Sequence, residues 1–288
     1  MKPAPFAYHA PRSVDDAVAL LAELDDAKVL AGGQSLAPLL NMRLAVFSDL
    51  VDLRHLDELR GIERRDGALW IGAATTQATV ERSDEVAAAV PLLAKATPLI
   101  GHLQIRNRGT IGGSIAHADP AAEYPAVALA LDAEMEVTSV RGTRVVRAAD
   151  FFDGLWSTAL ADDELLRGIR FPVWEGRCGF AVEEVARRHG DFAVAGACVA
   201  VELGDGDVVE RCRIGMFGLG STPERGVDAE VAAQGRPVAE LDARQLGEAA
   251  VAPLTSIPED LNGSADYRRR VGAVAVARAW TRAVEEAR

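Results

Sequence analysis

The sequence is poor in cysteine, in basic charge and in catalytic signatures. Its 288 residues include only three cysteines, Cys178, Cys198 and Cys212. They lie far apart and form no CxxC spacing, which excludes a zinc ribbon, an iron–sulfur cluster built by this chain, and a disulfide framework. Cys198 sits inside the apolar run Ala193 to Val201 and reads as a buried, inert thiol. Lysine and arginine number 31 against 43 aspartates and glutamates, a formal net charge of −12. Such a surface repels phosphate backbones, and there is no polybasic run to hold an anionic membrane, so no nucleic-acid partner is expected. The motifs HExxH, GxSxG, GxGxxG and GxxxxGK[ST] are all missing, so no zinc protease, serine hydrolase, Rossmann or P-loop site is signalled. No catalytic residue and no metal ligand can be assigned. Apolar stretches reach only about ten residues, too short to span a bilayer. Met1-Lys2-Pro3-Ala4-Pro5-Phe6 has no apolar h-region, so a secretory signal is not expected. The cysteine usage fits the cytoplasm, free or at the inner membrane face.

What is present is a globular α/β or α+β pattern. Hydrophobic residues make up 49% and charged residues 26%, enough for a sizeable core. The length suggests two domains, at roughly 100–200 residues each. Ser13, followed by Asp15 and Asp16, predicts a helix start, and Val14, Ala17, Val18, Leu21 and Leu24 recur at helical spacing. Lys28–Ala31, Leu50–Leu53 and Ala68–Gly72 read as strands. Helices are expected over Leu36–Arg43, Thr76–Arg82 and Pro91–Ile100, and from Asp119-Pro120 to about Leu131. A hairpin is expected around Arg141-Gly142, and a strand over Leu165–Phe171. Beyond about Trp174 the texture changes to two long apolar strands, Ala193–Leu203 and Cys212–Leu219, then helices near 226–234, 239–250 and 266–287. The boundary is placed near 173–178.

Two glycine pairs follow short strands, in Ala31-Gly32-Gly33-Gln34-Ser35 and Thr110-Ile111-Gly112-Gly113-Ser114. Glycine lets the backbone approach a ligand closely, and successive amides in such turns form an anion-holding nest. Two of them could grip a diphosphate without any lysine, which suits an acidic protein. Equally, each pair could be a tight turn and nothing more. His117 could line a pocket or satisfy a turn. Glu123 could accept from ribose hydroxyls or simply favour a helix N-terminus. Arg187-Arg188-His189-Gly190-Asp191-Phe192 reads as a charged, solvated turn.

The same residues resemble the FAD-binding medium subunit of the molybdenum hydroxylases, the family of xanthine dehydrogenase and aerobic carbon monoxide dehydrogenase. The resemblance runs through Phe6-Ala7-Tyr8-His9-Ala10-Pro11-Arg12-Ser13, Ala31 to Leu36, and Gln104-Ile105-Arg106-Asn107-Arg108-Gly109-Thr110-Ile111-Gly112-Gly113-Ser114. It continues through Asp119 to Pro125 and Ala186 to Ala193, and so covers nearly the whole chain. It implies an α+β fold. A two-part PCMH-type (vanillyl-alcohol-oxidase-like) FAD domain would span 1–175, with subdomains of about 1–56 and 57–175. A smaller α+β C-terminal domain would span 176–288. Val29, Leu30, Ala31, Gly32, Gly33, Gln34, Ser35 and Leu36 would hold the FAD diphosphate together with Thr110, Ile111, Gly112, Gly113 and Ser114. Ile100, Glu123 and Leu166 would line the cofactor, and Asp191 and Phe192 would approach the isoalloxazine ring; His117 joins the cofactor-binding candidates from its own place just after the second glycine segment. Some relatives carry a lysine near 183–184; Glu183-Glu184 stand here, so that role is not carried over.

The resemblance further implies an electron-transfer subunit. Electrons would come from [2Fe–2S] clusters of a small subunit, fed by a molybdopterin large subunit, in an (αβγ)₂ assembly, and would leave to quinone, NAD or another acceptor. Carbon monoxide, a purine, an N-heterocycle or an aldehyde remain open as the substrate. Two other classes stay open as well. A self-sufficient PCMH-type flavin oxidase would need a substrate base near the flavin. A non-flavin α/β scaffold protein would be colourless and ignore FAD.

Overall fold

A computed structural model describes all of residues 1–288. The chain opens with alternating strands and helices: β1 (Ala7–His9), α1 (Val14–Glu23), β2 (Ala27–Leu30), α2 (Leu36–Met42) and β3 (Asp49–Asp52). The three strands form a parallel sheet in the order β1-β3-β2. The Ser13 hydroxyl starts α1 by accepting from the Asp16 amide at 3.1 Å. Val14, Ala17, Val18 and Leu21 then bury one stripe of the helix with Val51, Leu53, Leu56 and Leu59.

The second unit begins with the hairpin β4 (Ile62–Arg65) and β5 (Ala68–Gly72). Six short helices follow: α3 (Gln77–Glu81), α4 (Asp84–Ala89), α5 (Pro91–Ala96), α6 (Leu103–Arg106), α7 (Ile111–His117) and α8 (Glu123–Ala130). Then come β6 (Glu134–Ser139), β7 (Gly142–Arg147), the small hairpin β8 (Phe152–Gly154) and β9 (Ser157–Thr158), and β10 (Leu165–Pro172). These strands build an antiparallel sheet ordered β4-β5-β10-β6-β7, in which β10 slots between the two hairpins. Every residue of α8 is buried, so this helix is part of the core rather than a surface helix.

The third unit is a four-stranded antiparallel sheet of β11 (Arg177–Val185), β12 (Ala195–Leu203), β13 (Val209–Phe217) and β14 (Glu224–Arg225). It is followed by α9 (Val227–Ala233), α10 (Ala243–Val251) and α11 (Ala265–Ala287). Strand alternation divides its side chains between two cores. Ala195, Ala197, Val199 and Val201 pack with Trp280, Ala283 and Val284 of α11. Cys198, Ala200 and Phe217 pack on the other face with α8 and the second unit.

The structure corrects several expectations. Pro91–Ile100 is not one helix: α5 ends at Ala96 and a 3-10 turn covers Thr97–Leu99, because Pro98 has no amide to continue the ladder. Pro120 does not open a helix. The Asp119 carboxylate takes the Ala121 amide at 2.9 Å in a turn, and α8 starts at Glu123. Gly112-Gly113 are not a free turn but the first turn of α7. The strand β11 was not anticipated, since glycine and paired glutamates carry low strand propensity.

Gly179 on β11 shows how tightly the last helix is seated: a Cβ there would run into the Ala283 carbonyl of α11. Gly179→Ala is therefore expected to lower unfolding free energy by about 1–3 kcal/mol, the usual cost of overpacking. Urea denaturation checks this; an unchanged midpoint would show that α11 yields freely.

Candidate functional site

The first glycine loop leaves the end of β2 and enters α2. Gly33 lies at φ +73°, a left-handed conformation that glycine adopts at little cost. The Gln34 side chain closes the turn by donating to the Gly32 carbonyl at 3.1 Å. Ser35 stands at the start of α2 with its hydroxyl free of any capping bond. None of the six consecutive amides from Ala31 to Leu36 donates to an acceptor within the chain. A row of converging free N–H groups around an αL–αR bend is an anion-binding nest.

The second glycine segment differs. Thr110 caps α7 by accepting from the Gly113 amide at 3.0 Å. The Ile111 amide donates to Thr75 O, Gly112 to Ala73 O and Ser114 to Thr110 O. These four amides are satisfied inside the protein, so the expected second nest is absent. What this segment contributes is surface: small side chains, the unengaged Ser114 hydroxyl, and room for close approach.

The two segments meet directly. A Cβ on Gly32 would collide with the Arg108 carbonyl and come within 2.7 Å of the Gly109 Cα. A Cβ on Gly113 would stand 3.5 Å from that of Ala31. Leu166 is buried on β10 opposite Val137. Its neighbour Arg167 offers the carbonyl that takes the Ala73 amide, and Ala73 in turn takes Gly112. Val29 and Leu30 form the end of β2, with Leu30 Cδ1 3.3 Å from the position of a Gly33 Cβ.

Past α7 lie the remaining sequence-named residues. His117 stacks on Trp156, ring centroids 6.3 Å apart and nearly parallel, and burial holds its imidazole below the usual value. Trp156 is at φ +55° and 58% exposed at the β8–β9 tip, with its indole N–H 3.4 Å from Asp119 Oδ2. Sequence reasoning missed Trp156; the signal was a large aromatic two residues after Gly154, between two short strands. Ile100 is buried, and its carbonyl is held at 3.0 Å by the buried Arg106. The turn between β11 and β12 leans onto the same region. A Cβ on its Gly190 would lie 2.8 Å from Gly101 O and 2.6 Å from His102 Cε1. Asp191 is exposed, and Phe192 stands out at 71% exposure.

Two acids sit beneath that turn. Glu123 is the first residue of α8 and only 8% exposed. Burial, followed by the Glu184 charge, pushes its carboxyl up to about 8. Burial pushes Glu184 up to about 7. By contrast, adjacent Glu183 is on the opposite face of β11, in an ion pair with Arg282 of α11. Cys198 is fully buried and its thiol is driven well above the ordinary value, so it is no nucleophile.

Comparison with known proteins bears on what this arrangement holds. Residues 4–174 match the model for the FAD binding domain in molybdopterin dehydrogenase. Residues 180–283 match the CO dehydrogenase flavoprotein C-terminal domain. The carbon monoxide dehydrogenase medium chain of Hydrogenophaga pseudoflava is 39% identical over 98% of this chain and 99% of its own. Caffeine dehydrogenase subunit beta of Pseudomonas sp. strain CBB1 is 38% identical over 99% and 97%. The solved carbon monoxide dehydrogenase of H. pseudoflava that lacks the Mo-pyranopterin moiety superposes with a TM-score of 0.96 at 39% identity, covering 99% of both chains. A nest of free amides, a glycine contact joining two segments, and full-length likeness in sequence and fold lead to one assignment: the chain belongs to the FAD-binding flavoprotein subunits of the molybdopterin dehydrogenases, a component of an oxidoreductase.

Proposed function

We propose that this chain takes electrons from [2Fe–2S] clusters of a small partner subunit and passes them, through its FAD, to an external acceptor such as a quinone or NAD. The observation that carries the placement of the cofactor is the run of unpaired amides from Ala31 to Leu36, closed against Arg108-Gly109 through Gly32. These amides receive the diphosphate, with Val29 and Leu30 behind them. Thr110, Ile111, Gly112, Gly113 and Ser114 form the facing wall, where Ser114 is the available hydroxyl. His117, Glu123, Asp191 and Phe192 would line the rest of the cofactor, with Ile100 and Leu166 supporting the walls from the core. Phe192 is an exposed aromatic on which a planar ring could stack. The chain's own residues bind, orient and shield; the flavin supplies the ability to pass electrons singly or in pairs.

Two further observations support a partnered subunit. The three cysteines are free, and two of them are buried, so they cannot carry a one-electron relay of their own. The relatives are called a medium chain and a subunit beta, which is how parts of an assembly are named. Near-equal identity to relatives of a carbon monoxide and a caffeine dehydrogenase fits a subunit that does not choose the substrate. A molybdopterin-bearing large subunit would choose it, in an (αβγ)₂ complex. No helix is long and apolar enough to cross a membrane, and free thiols fit a reducing, cytoplasmic compartment.

Gly32→Ala is expected to force the two segments apart and weaken FAD binding to refolded apoprotein by at least about tenfold, or about 1.4 kcal/mol. Gly33→Val, which puts a β-branched residue at φ +73°, should act likewise. Flavin fluorescence quenching measures both, and undiminished affinity in both variants would remove the first loop from the site. Purification of the native complex should bring down two partner chains containing molybdenum and iron. A chain that purifies alone and turns over a substrate would instead be a self-sufficient oxidase.

A further inference from the structure

Glu183 and Glu184 are neighbours in sequence and opposites in environment. Along β11, Cys178, Phe180 and Val182 face the core shared with α8, and Glu184 continues that face by alternation. Glu184 pairs with Gly196, and Gly196 pairs with Phe217. One residue beyond, the Gly218 amide donates to Pro120 O at 2.7 Å. That bond brings the start of α8, and with it Glu123, to the end of the sheet where Glu184 lies. Val194 N–H closes the turn above by donating to Val185 O at 2.8 Å. Glu184 therefore lies next to the residue that closes the Phe192 turn, at the end of the sheet where α8 starts.

No cation meets them. Neither carboxyl takes part in any ion pair, and Glu184 Oε2 is buried without a hydrogen-bond partner. The other groups facing the pair are Asp119 before α8 and the neutral thiol of Cys198 on β12. Tyr124, next on α8, spends its hydroxyl on Thr97 at 3.0 Å. Arg213 shares the face of β13 but is four residues along, held by Asp132. On the turn above, Arg187, Arg188, His189 and Asp191 are exposed. Burial and the Glu184 charge raise Glu123, and burial raises Glu184, so neither carboxyl gives up its proton readily.

We propose that Glu123 and Glu184 are two cation-free acids beside the flavin, one of which takes up a proton from solvent when two electrons reach the flavin. This rests on the reading that the flavin ring lies under the Phe192 turn. The electrons come from a one-electron donor, the iron–sulfur partner in the assembly or dithionite in a titration. The only bond the pair gains is one carboxyl O–H, with its proton from bulk water. The added negative charge on the cofactor is what makes that protonation favourable.

The test is a reductive titration of holoprotein against a reference dye, across neutral to mildly alkaline pH, with infrared difference spectra of the carboxyl region. In the wild type one extra proton should accompany two electrons. That is a tenfold change in the equilibrium per pH unit, so the potential should fall about 30 mV per pH unit more steeply than in Glu184→Gln. A protonated-carboxyl band should grow on reduction and be lost in Glu184→Gln. Glu183→Gln, on the far face, should keep both. Equal slopes and an unchanged band in Glu184→Gln would overturn the acid pair while leaving FAD binding intact. A wild-type chain that binds no flavin would instead defeat the functional reading itself. Glu123→Gln should match Glu184→Gln; where it sheds the cofactor, Glu184→Gln decides.

Discussion

The structure depends on one close approach, the backbone of Gly32 against the backbone of Arg108-Gly109. A single methyl group at Gly32 would forbid it. Because the two segments touch there, the parallel three-stranded unit and the mixed second unit are locked with their glycine segments facing the same space. The unpaired amides of the first loop then have a wall opposite them. Several arginines are held in ion pairs: Arg106 with Glu81, Arg144 with Glu164, Arg225 with Glu230 and Asp132. Main-chain dipoles remain, and they need only correct backbone geometry.

The third unit is more than an appendage. Its sheet lends Phe180, Cys198, Ala200 and Phe217 to the core of the second unit, and Gly218 reaches across to the Pro120 carbonyl. Arg268 of α11 is buried and donates to Val194 O at 2.6 Å and Gly218 O at 3.2 Å. One guanidinium thus ties the end of the Phe192 turn to the segment that contacts Pro120. The Phe192 turn is held at its end by a guanidinium of α11.

Much of the local structure was legible in the residues. Ser13 with Asp15 and Asp16, the spacing of Val14, Ala17, Val18 and Leu21, and the break at Gly32-Gly33 all act within a few residues of one another. Such signals are short-range and survive in any fold. The failures have a common cause. Gly112-Gly113 read as a free nest, but their amides are taken by Ala73 and Thr110, residues whose positions depend on the hairpin and helix cap around them. Pro120 read as a helix start, but the Asp119 side chain captured the local amide first. Trp156 gave no periodic signal, because a two-residue hairpin tip has no period.

The sequence by itself determined most of the elements, the glycine segments able to face a diphosphate, and the family to which they belong, because these depend on spacing and on residue size. Only the tertiary structure decided which amides stay free, which wall Phe192 overhangs, and how the two adjacent glutamates divide. Glu183 pairs with an arginine 99 positions away in the chain, and Glu184 faces another acid 61 positions before it. Strand alternation guarantees that neighbours point to opposite faces, but which face meets a cation and which meets a carboxyl is set by packing partners distant in sequence.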